Sequence, residues 1–256
     1  MIAALYVPGS RPGRFAKAAA TGATVILDLE DAVAPQDKAQ ARAHVAAWSA
    51  GAGAAASVPL QVRVNAPGTA DLAADLEALA PEIELRVPKV ESPEDLVEFG
   101  GRQVHVLVET ALGVERLFEI ASTPGVRSIG LGEADLAAEL GLEGEDAFGW
   151  IRARTVIAAR AAGLPAPMMA AYPAIADRDG LAESCARGRR LGMRGRTAIH
   201  PTQLPVIRSA FAPRADELAW AHQVLDTIGE GGVGVLLDGS MVDGAMVRRA
   251  RAILDG

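Results

Sequence analysis

The stretch TVILDLEDAV, Thr24 to Val33, decides how the chain is read. Four of the five residues from Val25 to Leu29 are large aliphatics, the makeup of a buried strand. Asp28 interrupts that run, and Glu30 and Asp31 close it. Acids this close repel one another, and burying them is costly unless a cation or hydrogen-bond donors meet them. A strand that carries acids at its exit is one whose exit does chemistry.

The rhythm around it is regular. Further strand candidates are AALYV, LQVRVN, IELRVPKV, QVHVLVET, VRSIGLG, PMMAAY and TAIH. Between them lie helical stretches such as KAQARAHVAAW, DLAADLEALA, PEDLVEFG, VERLFEIAS and WIRARTVIAARAAG, several followed by a glycine stop, as at Gly22, Gly100, Gly163 and Gly192. Eight β-then-α units predict a parallel sheet with helical crossovers, most economically an α/β (β/α)8 TIM barrel over residues 1–212. A doubly wound open sheet is the alternative. Residues 213–256 read as a short C-terminal extension, a helix beginning near Pro213, a Gly-flanked strand or hairpin with a turn around Asp238 and Gly239, and a last helix. The extension is expected to pack on the barrel or on a neighbouring subunit.

Composition narrows the function. Of 256 residues half are apolar and 4% aromatic, and the net charge is −7, so neither a nucleic-acid surface nor a general polyanion binder is expected. The single cysteine, Cys185, excludes an intramolecular disulfide framework and reads as a structural thiol on a helix. The N-terminus lacks the basic start of a secretory signal, and no stretch offers the ~20 apolar residues that span a bilayer. A soluble cytoplasmic protein is the expectation.

The unusual polar residues fall at strand exits, where a barrel of this kind keeps its catalytic face. Strand one leads into PGSRPGR, strand two into Glu30 and Asp31; strand three carries Arg63 and Asn65; strand four ends at Lys89 and strand five at Glu109. Glu133 and Asp135 follow strand six, Tyr172 closes strand seven and His200 strand eight. Glu109 and Asp135 make a hard oxygen set suited to Mg2+ or Mn2+; each also fits a helix N-terminus. Arg63 needs an anion, either a substrate carboxylate or Glu30 and Asp31. Lys89, one of three lysines, fits a Schiff-base aldolase or a plain ion pair with Glu91 or the acidic cluster. His200 before Pro201 suits a loop-ordering histidine or a base. Arg11, Arg14 and Lys17 suit a phosphate cradle or a solvated face.

Taken in order, VPGSRPGRFAKA (7–18), VILDLEDAV (25–33), VRVN (62–65), PKVES (88–92), VETALGV (108–114), GLGEADLAAELG (130–141), GMRGRTAIHPTQ (192–203) and DGSMVDGAMVRRA (238–250) resemble the citrate lyase β-subunit-like (CitE-like) proteins of the HpcH/HpaI aldolase superfamily, relatives of malyl-CoA and citramalyl-CoA lyases. The resemblance implies a (β/α)8 barrel in a homotrimer or hexamer, making or breaking C–C bonds between a 2-oxo acid and an acyl-CoA. Glu109 and Asp135 would hold Mg2+, Mn2+ being an alternative. Arg63 would face the developing negative oxygen, with Glu30 and Asp31 ordering it and metal-bound water. Arg11, Arg14, Lys17, His200 and Pro201 would lie along coenzyme A, and Lys89 would line the substrate site. Asp243 would act as general acid/base from a neighbouring subunit; relatives usually carry a proline two residues after this acid, where the chain reads MVDGAM. Variants of the same chemistry are a thioesterase, a free-acid pyruvate aldolase, and a lyase-complex subunit served by an acyl-carrier protein.

Overall fold

A computed structural model describes residues 2–228, 234–236 and 239–254. The chain divides into two compact units, Met1–Ala210 and Phe211–Gly256. The first is built on a parallel sheet of seven strands: β1 (Ala3–Pro8), β2 (Thr24–Asp28), β3 (Leu60–Arg63), β4 (Glu84–Val87), β5 (Val104–Val108), β6 (Val126–Leu131) and β7 (Arg196–Ala198). Their order is β6-β5-β4-β3-β2-β1-β7, so β1 to β6 lie side by side in chain order and β7 pairs with β1 at the opposite edge from β6. All five residues of β2 and of β5 are buried, as strands covered on both faces must be.

The crossovers carry α1 (Phe15–Ala19), α2 (Lys38–Ala50), α3 (Ala70–Ala78), α4 (Ala111–Glu115), α5 (Leu117–Ala121), α6 (Glu133–Leu140), α7 (Gly149–Ala161) and α8 (Arg178–Arg190), and α9 (Leu204–Phe211) follows β7. Hydroxyl caps start two of them: Thr69 accepts from the Leu72 amide and Thr110 from the Gly113 amide. The stretch PEDLVEFG forms a 3-10 helix, Pro93–Phe99, and VERLFEIAS is divided between α4 and α5 by a break at Arg116.

The expected seventh strand, PMMAAY, is corrected to an extended segment with a single bridge, Met169 to Arg196. The Met169 amide donates to the Gly195 carbonyl and the Thr197 amide to that of Met169. Pro165 and Pro167 have no N–H to extend a ladder, which explains why pairing stops there.

One face of the sheet holds polar residues where buried sheets usually pack aliphatics. Register pairs Pro8 with Asp28, Asp28 with Arg63, Arg63 with Arg86, Arg86 with His105 and His105 with Ser128, a row that crosses six adjacent strands. Because neighbouring strands are staggered, the row starts at the C-terminal ends of β1 to β3 and reaches the N-terminal ends of β5 and β6. Arg86 donates to Gln61 Oε1 through Nε and Nη2, at 3.2 and 2.7 Å. His105 bridges Glu84 Oε2 at 2.9 Å and Ser128 Oγ at 2.8 Å.

The second unit contains α10 (Ala215–Thr227), a two-residue hairpin of β8 (Gly234–Val235) and β9 (Met241–Val242), and α11 (Gly244–Leu254). The helix expected at or just after Pro213 begins at Ala215, and Asp238 lies outside the described residues. Ala221, Val224, Leu236, Val242, Val247 and Ala250 form its core. Among the described residues no helix is long and apolar enough to cross a membrane.

Candidate active site

The three acids at the exit of β2 converge on one arginine. Arg63, at the end of β3, donates from Nε to Asp28 Oδ1 at 2.8 Å and from Nη2 to Asp28 Oδ2 at 2.6 Å. Its third nitrogen, Nη1, lies 2.7 Å from Glu30 Oε2 and 3.5 Å from Asp31 Oδ2. The guanidinium also stacks 5.1 Å from the centre of the Tyr6 ring. Asp28 and Glu30 are buried, and Asp31 is exposed. Although burial opposes it, the Asp28 hydrogen bonds and charge hold Arg63 fully protonated, its pKa raised above the ordinary arginine value. The fork toward a carboxylate, one sequence expectation for a substrate, is therefore occupied by Asp28, and Nη1 is the edge that remains.

The turn carrying Glu30 is held from behind. Lys38 Nζ donates to the carbonyls of Leu29 (2.9 Å) and Glu30 (3.3 Å) and to Asn65 Oδ1 (2.5 Å). Asn65 Nδ2 reaches Leu29 O at 3.1 Å and Asp75 Oδ2 at 2.7 Å, and Asp75 Oδ1 accepts from Arg42 Nε at 2.7 Å. The Glu30 amide donates to Asp28 Oδ1 at 2.9 Å. Glu30 is thus placed by backbone, yet neither of its buried carboxylate oxygens makes a hydrogen bond, the 2.7 Å approach of Nη1 being off the N–H direction.

Glu109 follows β5 and is 3% exposed, with Oε2 buried and unpartnered. Burial first, then the neighbouring charges of Glu30 and Asp135, push its pKa up to about 8. Burial, partly offset by Arg63, pushes Glu30 up to about 7. Asp135, exposed in the first turn of α6, is close enough to act on Glu109 electrostatically. Gly132 makes the room: a Cβ there would stand 2.7 Å from Glu109 Cδ and closer still to Cγ. Acids gathered with an open oxygen and too little positive charge fit a divalent cation. Mg2+ takes one or two carboxylates and completes its shell with water and substrate, and Glu109 beside Asp135 offers such a set. The donor set therefore fits Mg2+.

Lys89 Nζ lies 3.8 Å from Glu30 Oε1, so the acidic cluster is its partner. Its backbone has φ +53°, and it is the sole non-glycine residue at positive φ among the described residues. Such strain gathers where a site over-determines geometry. Arg11 and Arg14 are exposed on the turn after β1, and Lys17 is exposed on α1. His200 orders its own turn: Nδ1 pairs with Thr202 Oγ1 at 2.8 Å, and Pro201 beside it is exposed. Asp243, in the second unit, caps α11, its Oδ1 accepting from the Ala245 and Met246 amides at 2.9 Å each. Sequence reasoning missed Asp28 as the partner of Arg63, the Lys38–Asn65–Asp75 support and Gly132; for Asp28 the signal was its place inside an apolar run.

A parallel α/β sheet brings buried acids, an arginine and a divalent-ion donor set to its C-terminal edge, an arrangement suited to metal-assisted carbon–carbon bond chemistry. Residues 3–201 match the family described as HpcH/HpaI aldolase/citrate lyase, and the chain belongs to that family. It is 37% identical over 265 residues to a citrate lyase subunit beta-like protein of Mycobacterium tuberculosis, covering 98% of this chain and 93% of the relative. An L-malyl-CoA/beta-methylmalyl-CoA lyase of Cereibacter sphaeroides is 31% identical over 297 residues, with 98% and 92% covered. The solved structure of protein CitE from M. tuberculosis in complex with magnesium, acetoacetate and coenzyme A superposes with a TM-score of 0.85 at 35% identity, covering 99% of this chain and 97% of that one.

Proposed function

We propose that the chain is a Mg2+-dependent lyase acting on a 3-hydroxy-diacyl-CoA such as malyl-, citramalyl- or citryl-CoA, giving an acyl-CoA and a 2-oxo acid. The observation that carries this reading is buried Glu109, with an unpartnered oxygen and a pKa of about 8, on the same strand edge as Arg63 and Glu30. Glu109 and Asp135 would hold the ion, which would supply Lewis-acid chemistry toward a bound 2-oxo acid. The chain's own residues do the rest. Arg63, its charge fixed by Asp28, presents Nη1 to the oxygen on which negative charge develops. Glu30 and Asp31 hold that edge in place, and Lys89 completes the polar lining. As the hydroxyl proton leaves, the C–C electrons pass to the carbon beside the thioester, which is then protonated. Asp243 is the proposed proton carrier, supplied by a neighbouring copy in a homo-oligomer. Arg11, Arg14, Lys17, His200 and Pro201 form the proposed coenzyme A contact; the CitE relative solved with coenzyme A supports that reading.

The same proposal includes closure of the sheet into a (β/α)8 barrel. A Cβ on Gly130 of β6 would stand 4.0 Å from the Met168 carbonyl, which brings the proline-rich segment to the open edge.

The test mixes acetyl-CoA or propionyl-CoA with glyoxylate or pyruvate, with Mg2+ or with EDTA, and follows thioesters by mass spectrometry. A Mg2+-dependent malyl-, methylmalyl- or citramalyl-CoA product is the expected result. Free CoA with no adduct would replace the lyase reading by hydrolysis. Inertness toward every free thioester, with turnover on an acyl-carrier protein, would replace it by a complex subunit.

A further inference from the structure

Behind Asp135 lies a buried arginine that the chemistry above does not use. Arg152, in α7, is 1% exposed. It grips Glu133 with both edges of its fork, Nε to Oε1 at 2.6 Å and Nη2 to Oε2 at 2.7 Å. Its remaining nitrogen, Nη1, meets Glu145 Oε2 at 2.7 Å. The other oxygen of Glu145 pairs with Ser184 Oγ of α8 at 2.5 Å, and that hydroxyl also takes a hydrogen bond from Arg196 Nη1 of β7 at 2.5 Å. Arg152 therefore joins the first residue of α6 to α7 and, through Glu145, to α8 and β7.

Glu133 and Asp135 share the first turn of α6, and this helix has no capping side chain: its N-cap is Gly132, chosen for the room it leaves Glu109. Without a cap, an exposed helix start frays, and a ligand in its first turn would wander with it. The Arg152 fork replaces the missing cap. It fixes α6 in rotation as well as in height, because a bidentate pair sets an orientation that a single bond does not. We propose that Arg152 is a positioning residue for the metal site, acting through Glu133 to hold Asp135 at the distance from Glu109 that a divalent ion needs. This rests on the Glu109–Asp135 metal reading.

The experiment measures Mn2+ affinity by electron paramagnetic resonance on the folded, full-length chain, with thermal melts of each variant alongside. Arg152→Lys keeps the buried charge without the fork; the double variant Glu133→Gln with Arg152→Met removes the pair without leaving a buried charge alone; Glu145→Gln perturbs the same network without touching α6. The inference expects both Arg152 variants to bind Mn2+ at least about tenfold more weakly while still folded, the effect usual for a group that orients a metal ligand. Glu145→Gln should lower the melting temperature but keep the wild-type affinity. Methylguanidinium should restore binding to the double variant no further than its lost Glu133 charge allows, so rescue is sought in Arg152→Ala, where recovered affinity is expected. Wild-type affinity in folded Arg152→Lys and in the double variant would overturn the inference and leave the metal site standing. A wild-type chain that binds no Mn2+ would overturn both.

Discussion

Arg63 and Asp28 face each other across β3 and β2 as register partners, joined by two parallel hydrogen bonds of 2.8 and 2.6 Å. The pair does two jobs, since it keeps Arg63 charged and turns Nη1 toward Glu30. Asp28→Asn keeps the shape but removes the charge that balances a largely buried guanidinium. Removing one partner of a buried pair costs roughly 3–5 kcal/mol. Urea unfolding should show a loss of that order, with turnover falling as Nη1 swings free. A loss below about 1 kcal/mol would mean the fork is not the support described, exposed pairs being worth no more than that.

Gly132→Ala tests the cradle. The φ of Gly132, −93°, suits alanine, so the backbone tolerates the change and the added methyl acts through Glu109 alone. Mg2+ affinity by calorimetry should fall about 10–100-fold, the range for disturbed support of a metal ligand. Unchanged affinity would put Glu109 outside the metal shell.

Lys89→Gly should separate stability from activity. A left-handed conformation costs a non-glycine residue about 1–2 kcal/mol, and the half-exposed pair with Glu30 returns less than about 1 kcal/mol. The variant should melt higher, at about 2–4 °C per kcal/mol for a chain of this size, and turn over more slowly. A melting temperature below wild type would show that Lys89 stabilises the fold more than its backbone strains it.

Acid should compete with the metal. Glu109 has a folded-state pKa of about 8, above its ordinary 4.5, so the metal-free protein binds a proton there that the unfolded chain releases. The stability from that proton is complete below the ordinary value and lost as pH rises through about 8. In EDTA the melting temperature should therefore decline toward pH 8, and Glu109→Gln should leave only the smaller decline, complete near pH 7, that Glu30 contributes. Mg2+ needs the ionised form, so its affinity should weaken by up to about tenfold per pH unit below 8. A pH-independent affinity between 6 and 8 would refute the protonated resting state.

The strand positions were legible because β2 and β5 are buried on both faces and are mostly aliphatic, and because charged residues such as Glu109 after β5 and Lys89 after β4 mark strand exits. PMMAAY misled for a related reason: its apolar residues satisfy a buried strand, while Pro165 and Pro167 withhold the donors that a ladder needs. At the site, spacing brought Glu30, Asp31 and Arg63 to one edge, since adjacent parallel strands end together. It could not rank the acids, and Asp28 took the fork because register places it opposite Arg63. Arg152 was invisible because Glu133, which takes its fork, is 19 residues away and meets it only once α6 and α7 are packed.

The polar row from Asp28 to Ser128 has a consequence for how the chain finds its fold. Aliphatic interiors forgive a slipped strand, for valine can replace leucine at modest cost. This interior does not. Sliding β4 by one residue would turn Arg86 outward, orphan Gln61 and strip His105 of Glu84 at once, because each residue finds its partner on a neighbouring strand. The row works as a combination lock, admitting one alignment of the staves. It also ties their evolution together: a change at Arg86 or His105 is tolerated only with a matching change next door, so drift along this row must proceed in pairs.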